Sequence, residues 1–173
     1  MANTMTLITS YEVTGSTTSS IDITSIPSTY TDLWIKFSSR HTTAGSEDTP
    51  SIRFNNDSAS NYTFTFGGSV SSGSLPSSGS STTSFWCGTV PGAGDTSGAY
   101  SNISIRIPNY AGTTFKKTLD VESTTGAAGA VYRRIFGGYW NSTAAINRIQ
   151  MQILSGYQFA LGTTIYIYGI KNS

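Results

Sequence analysis

Ala99–Ile107 reads AYSNISIRI. Ile103, Ile105 and Ile107 fall on one side and Asn102, Ser104 and Arg106 on the other. That period of two is a strand with one face on a core and the other toward water. The same rhythm recurs outward in both directions. In Thr31–Ser39, TDLWIKFSS, Leu33, Ile35 and Phe37 oppose Asp32, Trp34, Lys36 and Ser38. Trp34 on the polar side implies that this second face is also partly covered. Shorter strands are expected at Met5–Val13, Ile21–Thr24, Ser51–Phe54, Tyr62–Phe66 and Ser84–Gly88. Asn55-Asn56-Asp57 carries the chemistry of a turn.

Toward the C-terminus, Thr114–Ser123 places Phe115, Leu119 and Val121 on one face. Lys117 shares that face, so it sits at a strand end or snorkels. Val131–Trp140 is a strand whose Gly137-Gly138 pair suggests a bulge or a close backbone approach. Ala144–Leu154 fits helix and strand spacing alike. The absence of an N-cap box and the nearness of Gly156 favour a strand. Thr163–Ile170 is apolar on both faces, with Ile165 and Ile167 opposite Tyr166, Tyr168 and Ile170. Such a strand is central or covered by another subunit.

These segments predict an all-β chain: a single antiparallel β-sandwich over residues 1–173, jelly-roll-like, of roughly nine to eleven short strands. No internal repeat argues for a propeller or β-helix. Gly67–Thr83, GGSVSSGSLPSSGSSTT, has the composition of a linker and is expected to be a flexible surface loop. Ser and Thr together approach a third of the chain and charged residues are 11%. The 12% aromatic content nevertheless supplies a core.

The formal net charge is +1, so no overall field favours nucleic acid or an anionic membrane. Residues 1–100 hold Lys36, Arg40 and Arg53 against seven acids, and residues 101–173 hold seven basic residues against Asp120 and Glu122. Either the two halves interleave and pair their charges, or a basic face meets an acidic partner. A lone cysteine excludes an internal disulfide. No basic, apolar leader and no long apolar run is seen, so cytoplasmic synthesis is expected. Four N-x-[ST] triplets, at Asn56, Asn61, Asn102 and Asn141, arise readily in so hydroxyl-rich a chain.

Reactive side chains are few. His41 is the only histidine and Cys87 the only cysteine. His41 falls where a strand runs into a loop and reads as solvated; no G-x-S-x-G elbow accompanies it. Cys87 beside Trp86 reads as a small buried apolar group. Glu47-Asp48 and Asn55-Asn56-Asp57 lack the spacing of a calcium loop. The acids are too scattered to select a glycosidase pair. Trp34, Trp140, Tyr110 and Tyr157 are candidates for stacking on a sugar, although rings in a sandwich more often serve core or interface. Arg133-Arg134 beside Tyr132 is a weak nucleic-acid signal, and no glycine-rich loop has phosphate-cradle spacing. No catalytic residue, cofactor or metal site is expected.

Three stretches carry a resemblance: Ser19–Ile35, with I-P-x-x-Y-T-D-L; Ile105–Leu119, with N-Y-A-x-T-T-x-K; and Tyr139–Ile170, with W-x-S-T-x-A-I and F-x-x-G-T-x-I-x-x-Y-G-I. Together they resemble small structural proteins of tailed bacteriophages, over most of the chain outside its Gly/Ser loops. The resemblance implies a virion protein: a decoration (cement) protein on the outer capsid surface, or a tail-fibre or spike component that binds a host glycan. It implies the major capsid protein or tail proteins as partners, and a homotrimer by analogy. It carries over no catalytic residue. The chain has no heptads or shaft-like repeats and starts at Met1, which favours the stand-alone decoration protein. Contacts are expected at Lys116, Arg133, Arg134 and Arg148 toward acidic capsid surface, and at Tyr166 and Tyr168 between copies. Glu47-Asp48 is expected to face outward or pair between subunits.

Overall fold

The fold is that of a computed structural model, which describes residues 4–45, 47–70, 73–74, 77–127 and 129–171. The described residues contain no helix and fifteen strands. In chain order these are β1 (Thr4–Glu12), β2 (Ser20–Ile23), β3 (Asp32–Ser38), β4 (Glu47–Asp48), β5 (Pro50–Phe54), β6 (Tyr62–Val70), β7 (Gly73–Ser74) and β8 (Ser77–Thr82). There follow β9 (Phe85–Trp86), β10 (Val90–Pro91), β11 (Asn102–Ile107), β12 (Lys117–Ala127), β13 (Ala130–Trp140), β14 (Ile149–Ile153) and β15 (Thr164–Lys171). The count exceeds the expected nine to eleven because β4, β7, β9 and β10 are two-residue pairings too short to leave a periodic signal.

Every pairing is antiparallel. The large sheet runs β1-β15-β3-β11-β12-β13-β6-β7, with β8 also on β6, and the smaller one runs β2-β14-β5-β9. The first four strands of the large sheet and the four of the small sheet reproduce the jelly-roll order. In it, strands one, eight, three and six form one sheet, and two, seven, four and five the other. The hairpin β12–β13 is inserted before β14, and β6–β8 between β5 and β9. Both insertions widen the large sheet. A two-stranded piece, β10-β4, pairs with neither sheet and packs against the large one at β12 and β13.

Alternation makes this arrangement pack. Leu33, Ile35 and Phe37 of β3, the three isoleucines of β11, and Ile165 and Ile167 of β15 are all at most 2% exposed. They meet Ile21 and Ile23, Ile52 and Phe54, and Ile149, Met151 and Ile153 from the small sheet. Each such side chain contributes about 1.5–3 kcal/mol on leaving water. The ambiguous C-terminal segment resolves as a strand only over Ile149–Ile153, while Ile146 is buried ahead of it.

Several expectations change. The Gly/Ser-rich segment is not simply a loop. Residues 67–70 and 77–82 pair in the large sheet, and Ser69 and Val70 face Ser74 and Gly73. Residues 71–72 and 75–76 of that segment lie outside the described residues. Backbone pairing needs no side chain, so composition concealed it. The strand expected over Ser84–Gly88 shrinks to Phe85–Trp86. Phe115 precedes β12 and is 69% exposed instead of sharing the face of Leu119. Gly137-Gly138 forms no bulge, because the β12–β13 register runs through it unbroken. Gly138 is a close approach: a Cβ there would lie 2.1 Å from the Thr63 carbonyl oxygen and 2.8 Å from the Phe85 ring.

Candidate interaction face

The side chains singled out for chemistry mostly serve packing. His41 is not solvated: it is 1% exposed, its ring stacks on Tyr157 with centroids 5.2 Å apart, and its backbone N–H donates to the Pro91 carbonyl. The chain doubles back there, so the loop is an inside corner of the sandwich. Cys87 is buried, and burial pushes its thiol well up from its ordinary value. Trp140 and Tyr110, offered as sugar platforms, are at most 2% exposed. Trp140 stacks near Tyr62 and donates from Nε1 to Asp57 Oδ2 at 2.6 Å. Burial acts to raise the Asp57 carboxyl, but bonds from Asn61, Trp140 and the Ala59 N–H together hold it below its usual value. Asn55 and Asn56 take positive φ, and Asn55 caps the chain before β14 through the N–H groups of Asn147 and Arg148. The polar turn is therefore a structural corner. Among the described residues no three His, Cys, Asp or Glu side chains gather as a metal would need.

Lys117 opens β12 and is 1% exposed. Its Nζ donates to the carbonyls of Gly112, Phe115 and Thr143 at 2.7, 2.8 and 3.1 Å. All three ammonium protons are thus spent inside the fold.

The four basic residues expected to act together are dispersed. Arg148 forks onto Asp22, its Nε donating to Oδ1 at 2.8 Å, on the small sheet. This pair joins an acid of the first half to a base of the second. Arg134 points to the inner side of β13, between the rings of Phe66 and Tyr132 at 5.8 and 5.6 Å. Burial lowers its pKa and the charge of Glu47 opposes that shift. Glu47 accepts from the Tyr132 hydroxyl at 3.2 Å. Glu47 and Asp48 are therefore half-buried in β4 within the chain, not displayed outward. Lys116 and Arg133 alone reach the outer face of the large sheet. Lys116 lies 5.4 Å from the Tyr139 ring, and Arg133 is 3.9 Å from Glu122.

That outer face is the most distinctive surface of the molecule. The cross-strand register sorts it into rows. One runs Leu7, Tyr168, Trp34, Arg106, Asp120, Gly137, Thr65. The next runs Ser10, Tyr166, Lys36, Ser104, Glu122, Ile135, Gly67. At the β1–β15–β3 end, large side chains stand up as a ridge. Leu7 is 49% and Tyr166 40% exposed, and Tyr168 lies 6.4 Å from the Trp34 ring. Trp34 is fixed by donating from Nε1 to Ser104 Oγ at 2.7 Å, with Lys36 Nζ 4.5 Å from its ring. Arg106 flanks the same ring at 5.8 Å. At the β13–β6 end the face sinks into a depression of about 590 Å³ lined by Thr65, Gly67, Ser69, Arg133, Ile135 and Gly137. Between ridge and depression run a positive stripe, Lys36 and Arg106, and a negative stripe, Asp120 and Glu122.

The sequence flagged half of this face, through Trp34, Tyr166 and Tyr168. The depression had no sequence signal, since it needs Gly67 and Gly137 to meet across strands seventy positions apart. Comparison with known proteins gave no match to a family model, to a curated protein or to a solved structure.

Proposed function

We propose that this protein is a non-enzymatic structural component of a tailed-phage particle, and that it decorates the head as a cement protein. The observation carrying this reading is the outer face of the large sheet. It is broad and built on rigid strands. It has apolar groups at both ends and charge between them, which suits a docking face better than a reaction cleft. The resemblance of the I-P-x-x-Y-T-D-L, N-Y-A-x-T-T-x-K and W-x-S-T-x-A-I blocks supplies the phage context. In this reading the protein works as a homo-oligomer and adds contacts between capsid subunits.

Copy number per virion is the test. Hundreds of copies, with shells lacking the protein still assembling but rupturing at lower temperature, support cement, because a ligand of the assembled state stabilises that state. The second reading is a tail component that binds host glycan. It draws on the Trp34 ring beside the polar pocket of Lys36, Asn102, Ser104 and Arg106. Low copy number at the tail and loss of adsorption on removal would replace the first reading with the second.

A further inference from the structure

We propose that the outer face of the large sheet pairs with the same face of a second copy of this chain, about a two-fold axis running along the strands between β11 and β12. The inference rests on the reading of this face as an interface, and not on the phage particle.

The warrant is a symmetry in the register. Counting outward from the line between β11 and β12, β3 and β13 come next on either side, then β15 and β6. A two-fold axis along the strands exchanges the members of each pair and keeps position along the strand. It therefore sets Arg106 opposite Asp120, and Trp34 opposite Gly137. Tyr168 falls opposite Thr65, and Tyr166 opposite Gly67. In each ring-bearing pair a large ring meets a glycine or a threonine. Among the described residues, a Cβ built at Gly67 meets nothing within 4 Å, and one at Gly137 meets only Asp120 Oδ1 at 3.9 Å. The floor of the depression is thus open where the partner's rings arrive. Both such contacts form at once, as an isologous interface requires.

Charge agrees with shape. Arg106 of each copy lies over Asp120 of the other, while the Lys36 stem lies over Ile135 and Glu122 over Ser104. Size is adequate as well. Eight strand positions spaced about 4.8 Å, each about 20 Å long, give a face of roughly 750 Å², near the ~800 Å² per partner of stable complexes. Two sheets facing in this way stack about 10 Å apart with strands within about 30°. A two-fold contact would take the place of the trimer implied by analogy.

The test is the mass of the purified full chain in solution, by light scattering and sedimentation, without phage. A dimer at micromolar concentration is expected, loosening as salt rises. Gly67→Phe fills the depression from an open position and should raise the dissociation constant at least tenfold, with the thermal midpoint of the monomer kept. Tyr166→Glu, on the ridge, should do the same by a different route. The decisive experiment mixes two variants. Arg106→Asp alone and Asp120→Arg alone each place like charges across the interface and should be monomers. Mixed together they should form one-to-one heterodimers, because each contact then joins opposite charges. A monomer or a trimer for the unaltered chain would overturn the proposal. So would an undiminished dimer in Gly67→Phe, or a mixture that stays monomeric. None of these outcomes bears on copy number in the virion, so the two readings fail separately.

Discussion

The hairpin β12–β13 belongs to two different environments along its length. At one end Leu119, Val121, Phe136 and Trp140 point into the apolar core shared with the small sheet. At the other end the same inward positions are Ser123, Thr125, Tyr132 and Arg134. The four-stranded sheet does not reach that far. Its place is taken by β4, β10 and the chain around Thr89, whose N–H donates to Ser123 Oγ at 3.4 Å. One strand therefore passes from close-packed hydrocarbon to hydroxyl and ion contacts without a break in its hydrogen bonding. Stability should be concentrated in the eight strands of the roll and should fade along the extension.

The contrast breaks most visibly at the core. Phe37, edge-on to Phe159 with centroids 5.6 Å apart, lies in the roll; Phe37→Ala should cost about 4 kcal/mol in denaturant unfolding. A loss below that of an ordinary surface change would mean that the roll is not the stable unit. Next come the adjacent glycines. Gly138→Ala pushes a methyl into the β6 backbone and should cost about 2 kcal/mol. Gly137→Ala points outward and should stay within about 0.5 kcal/mol. Equal effects would show that the two residues do not face opposite sides. Smaller again is Phe66→Ala in the extension, at about 1–2 kcal/mol for a half-covered ring. Hydrogen exchange should place the opening of β6 below global unfolding.

The mildest effect is in acid. The Asp57 carboxyl is held below its ordinary value in the fold, so the folded state binds its proton less readily than the unfolded chain. Its contribution is present above the unfolded carboxylate range and is lost as pH falls through the folded value. Asp57→Asn should flatten that acid limb and leave the rest of the pH profile unchanged, as followed by thermal midpoint.

Much of the roll was legible from the chain. Alternation identified the inward residues of β3, β11 and β15, because a half-buried strand must repeat every second residue. The turn at Asn55-Asn56 was legible as well. The polar candidates were not. His41 read as solvated because a loop sequence does not reveal that the chain returns over it. Arg133 and Arg134 read as one patch, although adjacent residues of a strand point to opposite faces.

That strands form, which of their faces is buried, and that reactive groups are scarce all follow from the order of residues along the chain. Those properties are local, set by side-chain period and composition. The closed fold sets which strands are neighbours. Thereby it decided that Gly67 and Gly137 share a hollow, that Trp34, Tyr166 and Tyr168 share a ridge, and that Lys117 finds three carbonyls. Register between distant strands is a property of the closed sandwich, where slipping by one residue would turn every buried side chain outward.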